Sequence, residues 1–366
     1  MYSNLGFNVT IWQFDTMCCR NRGLRFWLAL CRQAFFTGCV VLSLSQAQAA
    51  TPTPLTFRIS TENTPAHFQT KVVQRFSDEL ARRTKGRLEV EFRHSAQLFR
   101  DQDVIRAVNE GKVEMAVPGN WQLDRYDPWA SLLTLPMFMG RSAAEHHSFR
   151  DGKVGQEISD HLAKSLNVVI PGRWIDLGYA HVFTRTKSIG GFEDMAGLRI
   201  RIAGGSAVAA HLSAVGAIPT IVAWPDFPNV FQQGRLDGLL TTYETIASAK
   251  LWNIGVKHVT ENQAYFAQYI PVVSQSYWDS LAPDLRQAVR ESWESVVDDA
   301  RVRAGEAQKI AKLSLIAHGV AVTELSPRAI KAWRTQAMKD QNTLATKIGI
   351  PHALLQESER LLARSQ

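Results

Sequence analysis

The chain has 366 residues, 45% hydrophobic and 20% charged, with 41 basic against 34 acidic side chains and a net charge of +7. That is ordinary globular composition, long enough for two lobes of typical domain size. The positive balance is mild and scattered, which argues against a nucleic-acid partner.

In chain order, Arg20, Arg22, Arg25 and Arg32 precede the apolar run "AFFTGCVVLSLS" (Ala34–Ser45), and "AQA" (Ala47–Ala49) follows. A basic region, an apolar core and a small-x-small site together read as an export signal over residues 1–49, cleaved after Ala49. The run is too short for a membrane span, and Met17 offers a second possible start. Removing this segment takes away Cys18, Cys19, Cys31 and Cys39, all four cysteines of the chain. The exported protein then has no disulfide and no thiolate chemistry, so core size has to hold it together.

"LTFRIS" (Leu55–Ser60) alternates as a strand. A helix follows, with Asn63 or Thr64 as its expected cap, Pro65 in its first turn, an apolar stripe of Phe68, Val72, Val73, Phe76 and Leu80, and Gly86 as its stop. "RLEVEF" predicts a strand, "DQDVIRAVNEG" a helix, and "VEMAV" (Val113–Val117) a strand. Strands alternating with helices imply a parallel sheet covered by helices. The same alternation returns in "NVVI", "AHVFT", "LRIRI", "SAVAAHLSAVG", "PTIVA", "PDFPNVFQQG" and "LDGLLT". Pro283 to about Ala317 reads as one helix about 50 Å long, longer than a single lobe.

Catalytic signatures are missing: no GxSxG, HExxH or GxxxxGK[ST] is present, and "AGGSAVAAHLSAVG" lacks dinucleotide-loop spacing. His146 and His147 are adjacent, which is not metal-pair spacing, and they read as an exposed turn. No cofactor and no metal are expected.

Several blocks, taken in order, resemble the DctP-type solute receptors of tripartite ATP-independent periplasmic (TRAP) transporters. They are "KGRLEVEF", "SAQLFRDQDVIRAVNEGKVEMAV", "LLTLPMFMG" (Leu132–Gly140) and "FEDMAGLRIRIAGGSAVAAHLSAVGAIPTIVAWPDFPNVFQQGRLDGLLTT" (Phe192–Thr242). The resemblance spans roughly Leu55 to Leu362. It implies an α/β, two-lobed, periplasmic-binding-protein-like fold with crossing strands and a long helix shared by both lobes. It also implies a job: capture of a small organic acid between the lobes and delivery to a membrane permease. The expected division is residues 50–178 with 267–306 for the first lobe, and 179–266 with 307–366 for the second.

The resemblance puts Arg201 at the carboxylate-binding position, and the chemistry suits it, because a guanidinium donates two parallel hydrogen bonds to a carboxylate. Arg199 is expected to be solvated or ion-paired. Trp224 falls where the family carries an aromatic residue near the ligand. Thr241, Thr242 and Tyr243 offer hydroxyls where relatives carry an amide. His181 stands where a second arginine is common, which favours a monocarboxylate or a hydroxylated ligand. Asn120 and Trp121 follow a strand end, the usual ligand position in open α/β sheets, and Trp174 lies near the expected crossing between lobes. A periplasmic enzyme and a ligand-presenting sensor are the competing readings, and a monomer is expected because no heptad seam is present.

Overall fold

The computed structural model describes residues 53–364. The export signal, its cleavage site, Met17 and the four cysteines lie outside the described residues.

Eleven strands occur among the described residues: β1 (Leu55–Ser60), β2 (Leu88–Arg93), β3 (Met115–Ala116), β4 (Val168–Val169), β5 (Ile175–Thr184), β6 (Arg199–Ile202), β7 (Ile218–Ile221), β8 (Gly238–Thr241), β9 (His258–Tyr269), β10 (Val272–Ser274) and β11 (Ala321–Glu324). They form two sheets, ordered β2-β1-β3-β10-β4 and β11-β9-β5-β8-β6-β7. Each sheet with its helices makes one lobe.

The first lobe opens as expected. Phe57 and Ile59 of β1 are fully buried, and helix Phe68–Thr84 buries Phe68, Val72, Val73, Phe76 and Leu80. Its cap differs from expectation. His67, not Asn63 or Thr64, caps the helix by accepting the N–H of Gln69 at Nδ1, 3.1 Å away. The helix ends in left-handed backbone at Lys85 and Gly86, where glycine carries the turn without strain.

The purely parallel sheets read from the sequence are in fact mixed. β1 runs parallel to β2 and β3, but β10 is antiparallel to β3 and β4. In the second lobe β6 is parallel to β7 and β8, whereas β5 is antiparallel to β8 and β9. The reason is the crossing: the chain passes from β4 in the first sheet to β5 in the second, and returns from β9 to β10. Strands that leave and come back must run in opposite directions.

Helix Pro283–Ala317 has 35 residues and packs on helix Phe68–Thr84, on β5 and on helix Tyr243–Ser248, so it serves both lobes. Trp293 is fully buried at its first-lobe end, edge-on to Phe76 at 5.3 Å, and Leu315 is fully buried at its second-lobe end.

The C-terminal stretch expected wholly in the second lobe divides. β11 pairs with β9 in the second sheet. The last helices, Gln341–Ile348 and His352–Arg364, bury Leu344, Leu354, Leu355 and Leu362 with Phe149, Val154, Ile158 and Leu162 of first-lobe helices. Those helices, Ala143–Asp151 and Lys153–Ser165, also overturn the turn expected at His146–His147. His146 is buried and stacked on Phe266 at 4.6 Å, and His147 Nε2 lies 2.5 Å from an Asp176 oxygen.

Candidate functional site: a cleft between the lobes

The C-terminal ends of strands from both sheets converge on one small cavity. Glu62 and Asn63 follow β1, Trp121 and Gln122 follow β3, Arg201 and Ala203 sit at the end of β6, Trp224 follows β7, and Thr241 and Thr242 end β8. Leu177 of β5 and Tyr265, Ala267 and Tyr269 of β9 form the floor, and Asp101 opens helix Asp101–Asn109 beside them. The space they line is about 40 Å³.

Arg201 is the chemical centre. It is 3% exposed, and its hydrogen bond among the described residues runs from Nε to the Val222 carbonyl at 2.9 Å. No side-chain carboxylate forms an ion pair with it among the described residues. Its guanidinium stands over the rings of Trp224 and Phe227, at 5.5 and 5.6 Å from their centroids. Burial draws its pKa down to about 10, against the opposing charge of Glu62. A buried guanidinium left without a carboxylate is costly, and its remaining N–H donors suit an oxyanion. Polar atoms around the first-lobe wall are also unsatisfied: Glu62 Oε1, both amide atoms of Asn120 and the Trp121 indole N–H have no partner among the described residues.

The sequence profile of the DctP family, described as bacterial extracellular solute-binding protein, family 7, matches residues 59–346. The chain belongs to the DctP family. One relative, the C4-dicarboxylate-binding periplasmic protein DctP of Shewanella loihica, is 26% identical over 305 residues, 82% of this chain and 87% of that protein. A TRAP periplasmic solute-binding protein of Ralstonia eutropha, solved with bound (S)-2-acetolactate, superposes with a TM-score of 0.76 at 26% identity, covering 84% of this chain and 99% of that one. The galactonate-bound sugar acid binding protein of Advenella mimigardefordensis gives a TM-score of 0.80 at 15% identity over 86% and 99% of the two chains, and so shares the two-lobed fold.

In this DctP-family chain, Arg201, Trp224, Thr241, Thr242 and Trp121 meet on the one cavity. Asn120 is fully buried beside it in the same short helix. His181, Tyr243 and Trp174 do not line the cavity. His181 is buried in the β5–β8 pairing opposite Thr241, and its Nδ1 accepts the Gln263 N–H at 3.2 Å. Burial pushes its pKa to about 3, so it is neutral. Tyr243 turns into the second-lobe core and donates to Glu261 at 2.8 Å. Trp174 packs in the first-lobe core beside a separate surface cavity lined by Arg173 and Glu294. Arg199 is ion-paired with Asp237 at 2.8 Å.

Reading the sequence missed Glu62, Asn63, Asp101, Gln122, Thr245, Tyr265 and Tyr269 as cavity residues. The available signal for the first two was position: both follow the C-terminal end of the first parallel strand, where open α/β sheets place ligands.

Proposed function

We propose that the exported protein is the periplasmic receptor of a TRAP transporter, that it captures a small organic acid between its lobes, and that it hands the acid unchanged to membrane permease subunits. The observation that carries this reading is Arg201: a buried guanidinium in the interlobe cavity with no carboxylate partner among the described residues. Relatives of the same fold hold carboxylates, among them acetolactate and galactonate, and the solute of this chain is assigned to the same broad class. Its carboxylate takes the free edge of Arg201, Trp224 shields the pair from water, and the Thr241 and Thr242 hydroxyls supply further hydrogen bonds. Contact from both lobes favours the closed form, which couples capture to closure.

The test is calorimetry and thermal stabilisation over a panel of small acids. Arg201→Ala is expected to weaken the bound acid by about 3 kcal/mol, roughly a hundredfold. Arg201→Lys keeps the charge without the two-pronged geometry and should recover only part of that loss. Undiminished binding by Arg201→Ala would remove this residue from the role. An acid that stabilises the protein and is chemically altered on long incubation would replace the receptor reading with an enzymatic one.

A further inference from the structure

The cavity that holds Arg201 also holds two buried carboxyl groups, Glu62 and Asp101, which are 6% and 5% exposed. Glu62 Oε1 has no hydrogen-bond partner among the described residues. The Trp121 indole stands against Tyr265 and Tyr269, with ring centroids 6.1 and 5.5 Å apart, and all three rings line the same cavity.

Charge decides what can enter. Among buried groups an uncompensated charge is expensive. Burial pushes both Glu62 and Asp101 upward, and the Arg201 charge opposes that push at Glu62, so of the two carboxyls Glu62 is the one that balances Arg201. A dicarboxylate would bring two negative charges into a cavity that is already neutral, and its second carboxylate would meet Glu62. A plain monocarboxylate would leave one charge uncompensated. A molecule carrying one carboxylate and one cationic nitrogen adds none. Its carboxylate meets Arg201, its nitrogen satisfies the orphaned Glu62 oxygen, and aromatic faces attract a cation.

We infer that the solute is a zwitterion, a monocarboxylate with a cationic nitrogen at its other end, bound with the carboxylate on Arg201 and the nitrogen on Glu62 among Trp121, Tyr265 and Tyr269. This names the solute class of the receptor site proposed above and rests on Arg201 being its carboxylate clamp.

The experiment is titration calorimetry on the exported protein with 4-aminobutyrate, L-proline and β-alanine as zwitterions, and succinate as the four-carbon dicarboxylate matched to the first. At least one zwitterion should bind, succinate should not, and Glu62→Gln should weaken that zwitterion by about tenfold or more through loss of a charged hydrogen bond. Succinate binding tighter than all three zwitterions and abolished by Arg201→Ala overturns the zwitterion and leaves the receptor reading intact. Equal zwitterion affinity in Glu62→Gln and the wild type likewise overturns it. Zwitterion binding that survives Arg201→Ala overturns the clamp itself.

Discussion

His67 Nε2 of the first lobe lies 3.0 Å from Glu244 Oε2 of the second and 3.2 Å from Thr245 Oγ1, while Glu244 Oε1 accepts the Phe68 N–H at 2.7 Å. Burial raises Glu244 to about 7 and lowers His67 to about 3, with the Lys71 charge pulling both down. A raised carboxyl contributes stability at low pH and loses it as pH rises through 7. A lowered imidazole does the reverse, losing stability as pH falls below its ordinary 6.5. Between about pH 5 and 6.5 the two effects cancel, because the pair binds one proton in either state, on Glu244 when folded and on His67 when unfolded. Glu244→Gln removes one half of the balance. Its melting temperature should therefore fall further below that of the wild type as pH drops from 7 to 5. Parallel melting curves across that range would show that the two groups are not linked in this way. His146, His181 and His211 are lowered by burial as well, to about 3, 3 and 4, so the wild type itself loses stability in acid.

At the scale of the elements, Gly204 and Gly205 shape the approach between lobes. Gly205 has φ +101°, backbone that admits glycine readily, and it leads into helix Ser206–Ala214. A Cβ on Gly204 would stand 2.9 Å from the Trp121 carbonyl oxygen, across the cleft. Gly204→Ala should therefore hold the lobes apart. Solute affinity is expected to drop about tenfold, from an overpacking penalty of about 1.4 kcal/mol, with little change in the melting temperature of the ligand-free protein. An unchanged affinity would mean that the lobes close without this approach. Much of this architecture was legible in the chain. Alternation exposed β1 and β6, the four-residue apolar stripe exposed helix Phe68–Thr84, and helix Pro283–Ala317 has the predicted bounds. β9 was not legible, because it is buried along most of its length yet carries Thr260, Asn262 and Gln268 in buried positions, so polarity along the chain does not alternate with exposure. With it went Tyr265 and Tyr269. His181 and Tyr243 were read into the site from the resemblance, as the place of a second arginine and as a hydroxyl in place of an amide. In the structure the His181 ring is held by the Gln263 N–H, and Tyr243 begins helix Tyr243–Ser248 and donates to Glu261, so neither lines the cavity.

On the scale of the whole molecule, the lobes are joined by the β5–β9 crossing and spanned by the long helix, and they are also fastened at the cleft mouth. Gln122 Nε2 donates to the Ala203 carbonyl at 3.0 Å, the Ser206 N–H donates to the Asp124 carboxylate, and Arg100 pairs with Asp226 at 2.6 Å. None of these bonds involves the solute. Opening the cleft breaks them, so they are expected to govern the dwell time of a captured molecule more than its first encounter. The Arg100–Asp226 pair faces water on both sides and is open to screening. The dissociation rate should therefore rise severalfold, about twofold to fivefold, between dilute buffer and molar salt. Asp226→Asn should dissociate quickly at every salt concentration, as read by stopped-flow tryptophan fluorescence, and an equal salt response in the variant would clear this pair of the role. The compartment outside a cell's inner membrane follows the salinity of its surroundings. A receptor fastened in this way keeps its cargo longer in fresh water than in brine, and gives it up faster as the medium concentrates.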